Sequence, residues 1–211
     1  MPIWLLIAAI LIGQPEPLRL PPTDECGGEP SFVAYRARLS AAIARQDAAA
    51  LRPLVDSHIM YNFGDDDGWP GFVRNWHLDR PADSDLWLEL SRVMNLGCEV
   101  DGDQRIAPGN FNRLSDIGEG LPPFFAVRKD AALRSRPDDK AALVTLLDYH
   151  VLIEILDDEP EAVPEGWLHA RLTNGQSGYV RLSAVRSALD YRAGFEKRSG
   201  QWVMTSFVAG D

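Results

Sequence analysis

The sequence predicts an α+β protein, and three observations carry that prediction. Up to about residue 95, apolar residues recur mainly at helical spacings of three and four. From Ala126 the pattern changes to short strands divided by turns. Residues 189–211 then read as a hairpin with one apolar face, and an isolated hairpin is at best marginally stable. The expected arrangement is a small helical/α+β N-terminal unit over 31–121, completed by the hairpin at 189–211. An all-β unit over 122–188 is inserted between them.

Ile3 to Ile12 is an unbroken apolar run. A bilayer needs about 20 such residues to be spanned, so this run is too short. Its position fits the apolar region of a secretory signal peptide over 1–13. A periplasmic or secreted protein is therefore expected, with no membrane attachment beyond that signal. Gln14 to Pro30 is rich in Pro, Gly and acid and reads as a linker. The formal net charge of -10 argues against nucleic acid and against anionic lipid surfaces, because both need clustered Lys and Arg.

Pro30-Ser31 opens a helix, with Ser31 as a candidate N-cap. Phe32, Tyr35, Leu39, Ala42 and Ile43 share its apolar face. Asp47 caps a second helix that carries Leu51, Leu54 and Val55. His58 to Phe63 alternates as a strand with Ile59, Tyr61 and Phe63 on one side. A short helix follows near 71–76. Ser84 starts a better one, burying Leu86, Trp87, Leu90, Val93 and Met94 and ending at Gly97. Asp101 to Pro123 has little periodicity and reads as a domain connection.

Strands are then expected near 127–134, 141–147, 150–156, 167–172 and 177–181. In the terminal hairpin Ser199-Gly200 is a two-residue turn. Pairing outward sets Lys197 against Trp202, Phe195 against Met204 and Tyr191 against Val208. That apolar face fits the otherwise unpaired strand at 58–63.

Several motifs within 124–187 fall into one register. They are Arg134-Ser135-Arg136-Pro137, Gly166-Trp167, Thr173-Asn174-Gly175 and Gly178-Tyr179-Val180. Together they resemble a bacterial SH3 (SH3b) domain, with Arg136 and His150 standing where that family usually has Gly. The resemblance implies an SH3-like barrel and a non-enzymatic cell-envelope protein that binds peptidoglycan or a peptide. It makes Tyr179 and Trp167 the aromatic candidates for a barrel groove. Both residues have a second reading as barrel core. Glu161 and Glu165, in an acidic loop before Trp167, are the candidate hooks for a ligand amine, or simply a solvated loop. The N-terminal helices, Ala44-Arg45-Gln46-Asp47-Ala48-Ala49-Ala50-Leu51 and the terminal hairpin also resemble pieces of the NTF2-like fold. The alternative reading is therefore an NTF2-like small-molecule binder or enzyme with an accessory SH3b-like domain.

Cys26 and Cys98 suggest a disulfide in an exported chain, with two buried thiols or a metal site as the other readings. Asp65-Asp66-Asp67-Gly68 invites a calcium reading. Aligning Gly68 to the EF-hand glycine sets Phe63 and Arg74 at ligand positions, which favours an acidic surface turn, with a different calcium geometry as the other reading. His58, Asn62, His77 and Asp79 are candidates for acid–base chemistry if the fold brings them to one cavity, with surface or structural histidines as the other reading. No Gly-x-Ser-x-Gly elbow, P-loop or His-Glu-x-x-His occurs. No cofactor and no metal are expected.

Overall fold

The computed structural model describes residues 15–64, 68–115, 117, 122–156 and 163–210. The apolar run at 3–12, the three aspartates at 65–67 and Glu161 lie outside the described residues. The first part runs α1 (Pro30–Arg45), α2 (Ala48–Leu51), β1 (Val55–Met60), α3 (Trp69–Asn75), α4 (Leu86–Met94), β2 (Glu99–Asp101), β3 (Gln104–Ala107) and α5 (Phe111–Ser115). Seven strands follow: β4 (Phe124–Ala126), β5 (Ala131–Arg134), β6 (Leu143–Leu147), β7 (Val151–Glu154), β8 (Trp167–Leu172), β9 (Ser177–Arg181) and β10 (Val185–Ser187). The chain ends with β11 (Arg192–Arg198) and β12 (Gln201–Val208). The protein is thus mixed α+β with two sheets.

The first sheet has the order β1-β12-β11-β3-β2, so the terminal hairpin lies between strands from the first half of the chain. β1 runs parallel to β12, and β3 antiparallel to β11. Phe32, Tyr35 and Leu39 of α1 pack with Phe195, Trp202, Met204 and Phe207 of the hairpin in one core. Phe32 meets Trp202 edge to face at 5.0 Å. Tyr35 is buried, and its hydroxyl donates to the carbonyl of Leu54 at 2.8 Å, so the burial leaves no polar atom stranded.

Local expectations meet the structure unevenly. Asp47 caps α2 by accepting from the amide of Ala50 at 2.9 Å. Ser31 is not the cap of α1. Glu29 holds that position, and Ser31 lies inside the first turn with Pro30 before it. Its hydroxyl instead donates to Glu29 and accepts from Trp202 Nε1. The strand expected at 58–63 forms at 55–60, leaving Phe63 half exposed. Residues 101–123 are not a bare connection, because β3 and α5 form there and β3 joins the first sheet.

The hairpin turn is as expected, with Ser199 and Gly200 both at positive φ. Lys197 pairs with Trp202 and Phe195 with Met204. Beyond that a bulge at Gly194/Phe195 shifts the ladder by one residue. Val208 therefore faces Arg192 and not Tyr191.

The second sheet has the order β10-β4-β7-β8-β9-β5-β6. The resemblance implies a barrel, but β10 and β6 are free edges and no closed barrel forms among the described residues. All seven strands nonetheless supply side chains to one apolar cluster, so the sheet curls around a shared interior. Neither Arg136 nor His150 takes positive φ; the neighbour Tyr149 does, at +54°.

Residues 15–29 are not a free linker either. Leu18 accepts from the amide of Val151 and donates to Thr173 Oγ1, and Leu20 donates to Tyr149. Arg19 pairs with Asp148. Farther on, Thr23 accepts from Cys98 at 2.9 Å and donates to Gly109 at 3.1 Å. The close approach explains two glycines. A Cβ on Gly97 or Gly109 would meet the Thr23 carbonyl at 2.1 Å or 1.9 Å. The segment is a strap from the second sheet to the first. Leu20, Leu96, Leu114, Phe125 and Val151 make a small core beneath it. It ends at a disulfide between Cys26 and Cys98, whose Cα atoms are 5.7 Å apart.

Candidate functional site

Strands β8 and β9 are joined through Asn174-Gly175, and Gly175 takes φ +91° as such a turn demands. Alternation then sorts their side chains. Leu168, Ala170, Leu172 and Val180 face the interior. Trp167, His169 and Arg171 face outward from β8, opposite Arg181, Tyr179 and Ser177 of β9. His169 and Tyr179 stack at 4.4 Å with their planes 9° apart. Arg134 of β5 lies opposite Tyr179 on the other side and donates to the carbonyl of Ala141.

Trp167 is not an open aromatic surface. It is buried, and the Arg181 guanidinium sits 4.2 Å from its ring centroid. Asp139 holds that guanidinium in place with two hydrogen bonds, of 2.6 and 3.2 Å. The same contact keeps the Asp139 carboxyl below its ordinary value. Tyr179 is half-buried and remains the better aromatic candidate. Glu165 is exposed and precedes β8, two ladder rungs or more from Tyr179. The charged side chains of β5, β8 and β9 that share the Tyr179 face are Arg134, Arg171 and Arg181. Arg134 and Arg171 thus bring positive charge near the ring, while Asp139 neutralises Arg181; of the two expected acidic hooks, Glu165 lies before β8 and Glu161 outside the described residues. Alternation alone could have placed His169 and Arg171 there once the β8–β9 turn was recognised.

His58, Asn62, His77 and Asp79 do not form a site. The His58 side chain is 94% exposed, and among the described residues its ring nitrogen contacts neighbouring Ser57 and Asp56. His77 and Asp79 are exposed at the end of α3. The two cysteines are joined, so neither is a metal ligand. Among the described residues no helix is long and apolar enough to cross a membrane.

A concavity of about 510 Å³ lies where α4 approaches β10. Glu89, Arg92, Tyr149, Leu182, Arg186 and Tyr191 are among the residues that line it. No sequence pattern marks Arg186, because its burial comes from the meeting of the two units.

No protein-family model, curated protein or solved structure matches this chain.

Proposed function

We propose that residues 122–188 form an SH3b-like binding module in a non-enzymatic, exported cell-envelope protein. The ligand is a peptide or a peptidoglycan fragment, held on the outer face of β8 and β9. The observation that carries this reading is the His169–Tyr179 stack flanked by Arg134 and Arg171. Stacked rings offer a flat apolar surface, and arginines recognise carboxylates through paired hydrogen bonds. Wall peptides present both apolar side chains and free carboxylates. Export is supported by the Cys26–Cys98 disulfide, since such bonds persist in oxidising compartments.

The NTF2-like reading has less support. The space between α1 and the first sheet is filled by Phe32, Tyr35, Phe195, Trp202 and Met204, where a ligand cavity would be needed.

NMR titration of the full chain with muropeptides tests the proposal. Shifts should centre on His169 and Tyr179, and Tyr179→Ala should weaken binding about fivefold or more. Amidating the ligand carboxylates should weaken it too. An unchanged spectrum at millimolar muropeptide would end this reading.

A further inference from the structure

The cleft between α4 and β10 contains a buried cation, Arg186, that forms no ion pair among the described residues. Arg186 is only 6% exposed. A guanidinium has five N–H donors, and Arg186 Nη2 donates to the backbone carbonyl of Tyr191. Among the described residues no carboxylate forms an ion pair with it. Glu89 is engaged by Arg92 at 2.6 Å, and Asp190 accepts from the amide of Ser187 at 3.0 Å. A buried charge is costly unless it is paired, so this geometry favours an added anion. Burial also pushes the Arg186 pKa down, while Asp190 and Glu89 pull it back up. Those two acids thus lie within electrostatic reach of the guanidinium.

The rest of the cleft limits what that anion belongs to. Among the described residues its charged lining is Glu89 and Asp190 against Arg92 and Arg186, two of each sign. A ligand carrying both signs preserves that balance. A simple anion does not. Tyr149, Leu182 and Tyr191 add apolar wall, and a volume of about 510 Å³ suits a ligand larger than one small ion.

We propose that this cleft binds a short zwitterionic peptide, with its terminal carboxylate on Arg186, its ammonium group toward Glu89 and Asp190, and an apolar side chain against Tyr149, Leu182 and Tyr191. The site touches α4 of the first unit and β10 of the second, so an occupant bridges them. It is separate from the outer face of β8 and β9 and does not depend on the reading of that face.

Calorimetry of the full chain with the dipeptide alanyl-phenylalanine tests it. Binding at millimolar concentration or tighter is expected. Amidating the carboxylate should weaken it about tenfold or more, because a charge-assisted bond to a buried partner is lost. Acetylating the amine should weaken it to a smaller degree. Arg186→Met should abolish binding, whereas Tyr179→Ala should leave it intact. Should Arg186→Met fail to fold, Leu182→Trp, at a half-exposed rim position, narrows the cleft and should also block the dipeptide. No heat from the dipeptide, equal affinity for its amide, or full binding by a folded Arg186→Met or Leu182→Trp would overturn the proposal.

Discussion

Trp202 Nε1 donates to the hydroxyl of Ser31 at 3.0 Å, joining the C-terminal hairpin to the first turn of α1 across 171 residues of sequence. The indole ring also meets Phe32, and it carries Arg105 and Lys197 on its faces at 5.2 and 5.0 Å. One side chain therefore links core packing, a helix start and a surface charge network.

Removing that ring should damage the first sheet selectively. Trp202→Ala is expected to cost about 3–5 kcal/mol, the range for a buried Trp truncation. Chemical denaturation followed by NMR checks this. Amides of β11 and β3 should lose protection first, while those of β8 and β9 hold. Equal loss in both sheets would show that the two units unfold as one.

How far the fold was legible depended on whether a signal was local. Ser199-Gly200 and Asn174-Gly175 announced their turns, because positive φ demands particular residues. The pairs nearest the first turn followed from counting outward. The count failed past Thr205, where the bulge adds a residue with no mark in the sequence. β2 and β3 were missed because 99–107 is too short to alternate around Gly102-Asp103. The strap at 15–29 looked like a linker because its hydrogen bonds go to distant backbone, not to its own turns. Within the candidate site, Tyr179 was readable from its motif. The ring stacked on it and the burial of Arg186 were not, since both arise from strand register and unit packing.

The disulfide should resist reductant in the native state. Both cysteines are buried, at 1% and 0% exposure, and thiol exchange needs access to sulfur. Reduction by dithiothreitol should therefore track global unfolding. Once reduced, the protein should be about 4 kcal/mol less stable, from the loop closed by a sequence separation of 72. Alkylation and mass spectrometry across a urea series checks both points. Rapid labelling of both thiols in the absence of urea would contradict the buried, bonded pair.

Acid should weaken the contact between the strap and the first sheet. Glu29 pairs with Lys197 and Arg105 at 2.6 and 2.9 Å. The Lys197 hydrogen bond leads in holding its pKa down to about 2, from a usual value of 4.5; Ser31 and Arg105 add to it. A depressed acid stabilises the fold above its unfolded pKa. Its contribution is lost as pH falls from about 4.5 through about 2. Thermal melts should then show the native protein losing more stability across this window than Glu29→Gln does. Parallel curves would mean that the pairs are too solvent-screened to matter.

A second titration acts near neutral pH, at the other end of the strap. His150 Nδ1 accepts from the amide of Asp148 at 2.8 Å, so the ring is built to be neutral. Burial lowers its pKa first and Arg19 adds to this, while Asp148 and Glu16 oppose them. For a base with a depressed pKa, the stabilisation is full above the ordinary value of 6.5. It is lost as pH falls through the lower folded value. The neighbouring amides of Leu20 and Val151 bond to Tyr149 and Leu18, so they report on the strap directly. Their hydrogen-exchange protection, corrected for intrinsic rates and compared with β12 amides, should drop between neutral and mildly acidic pH. His150→Asn should flatten that response. Protection that falls equally in both proteins would rule out the imidazole as its source.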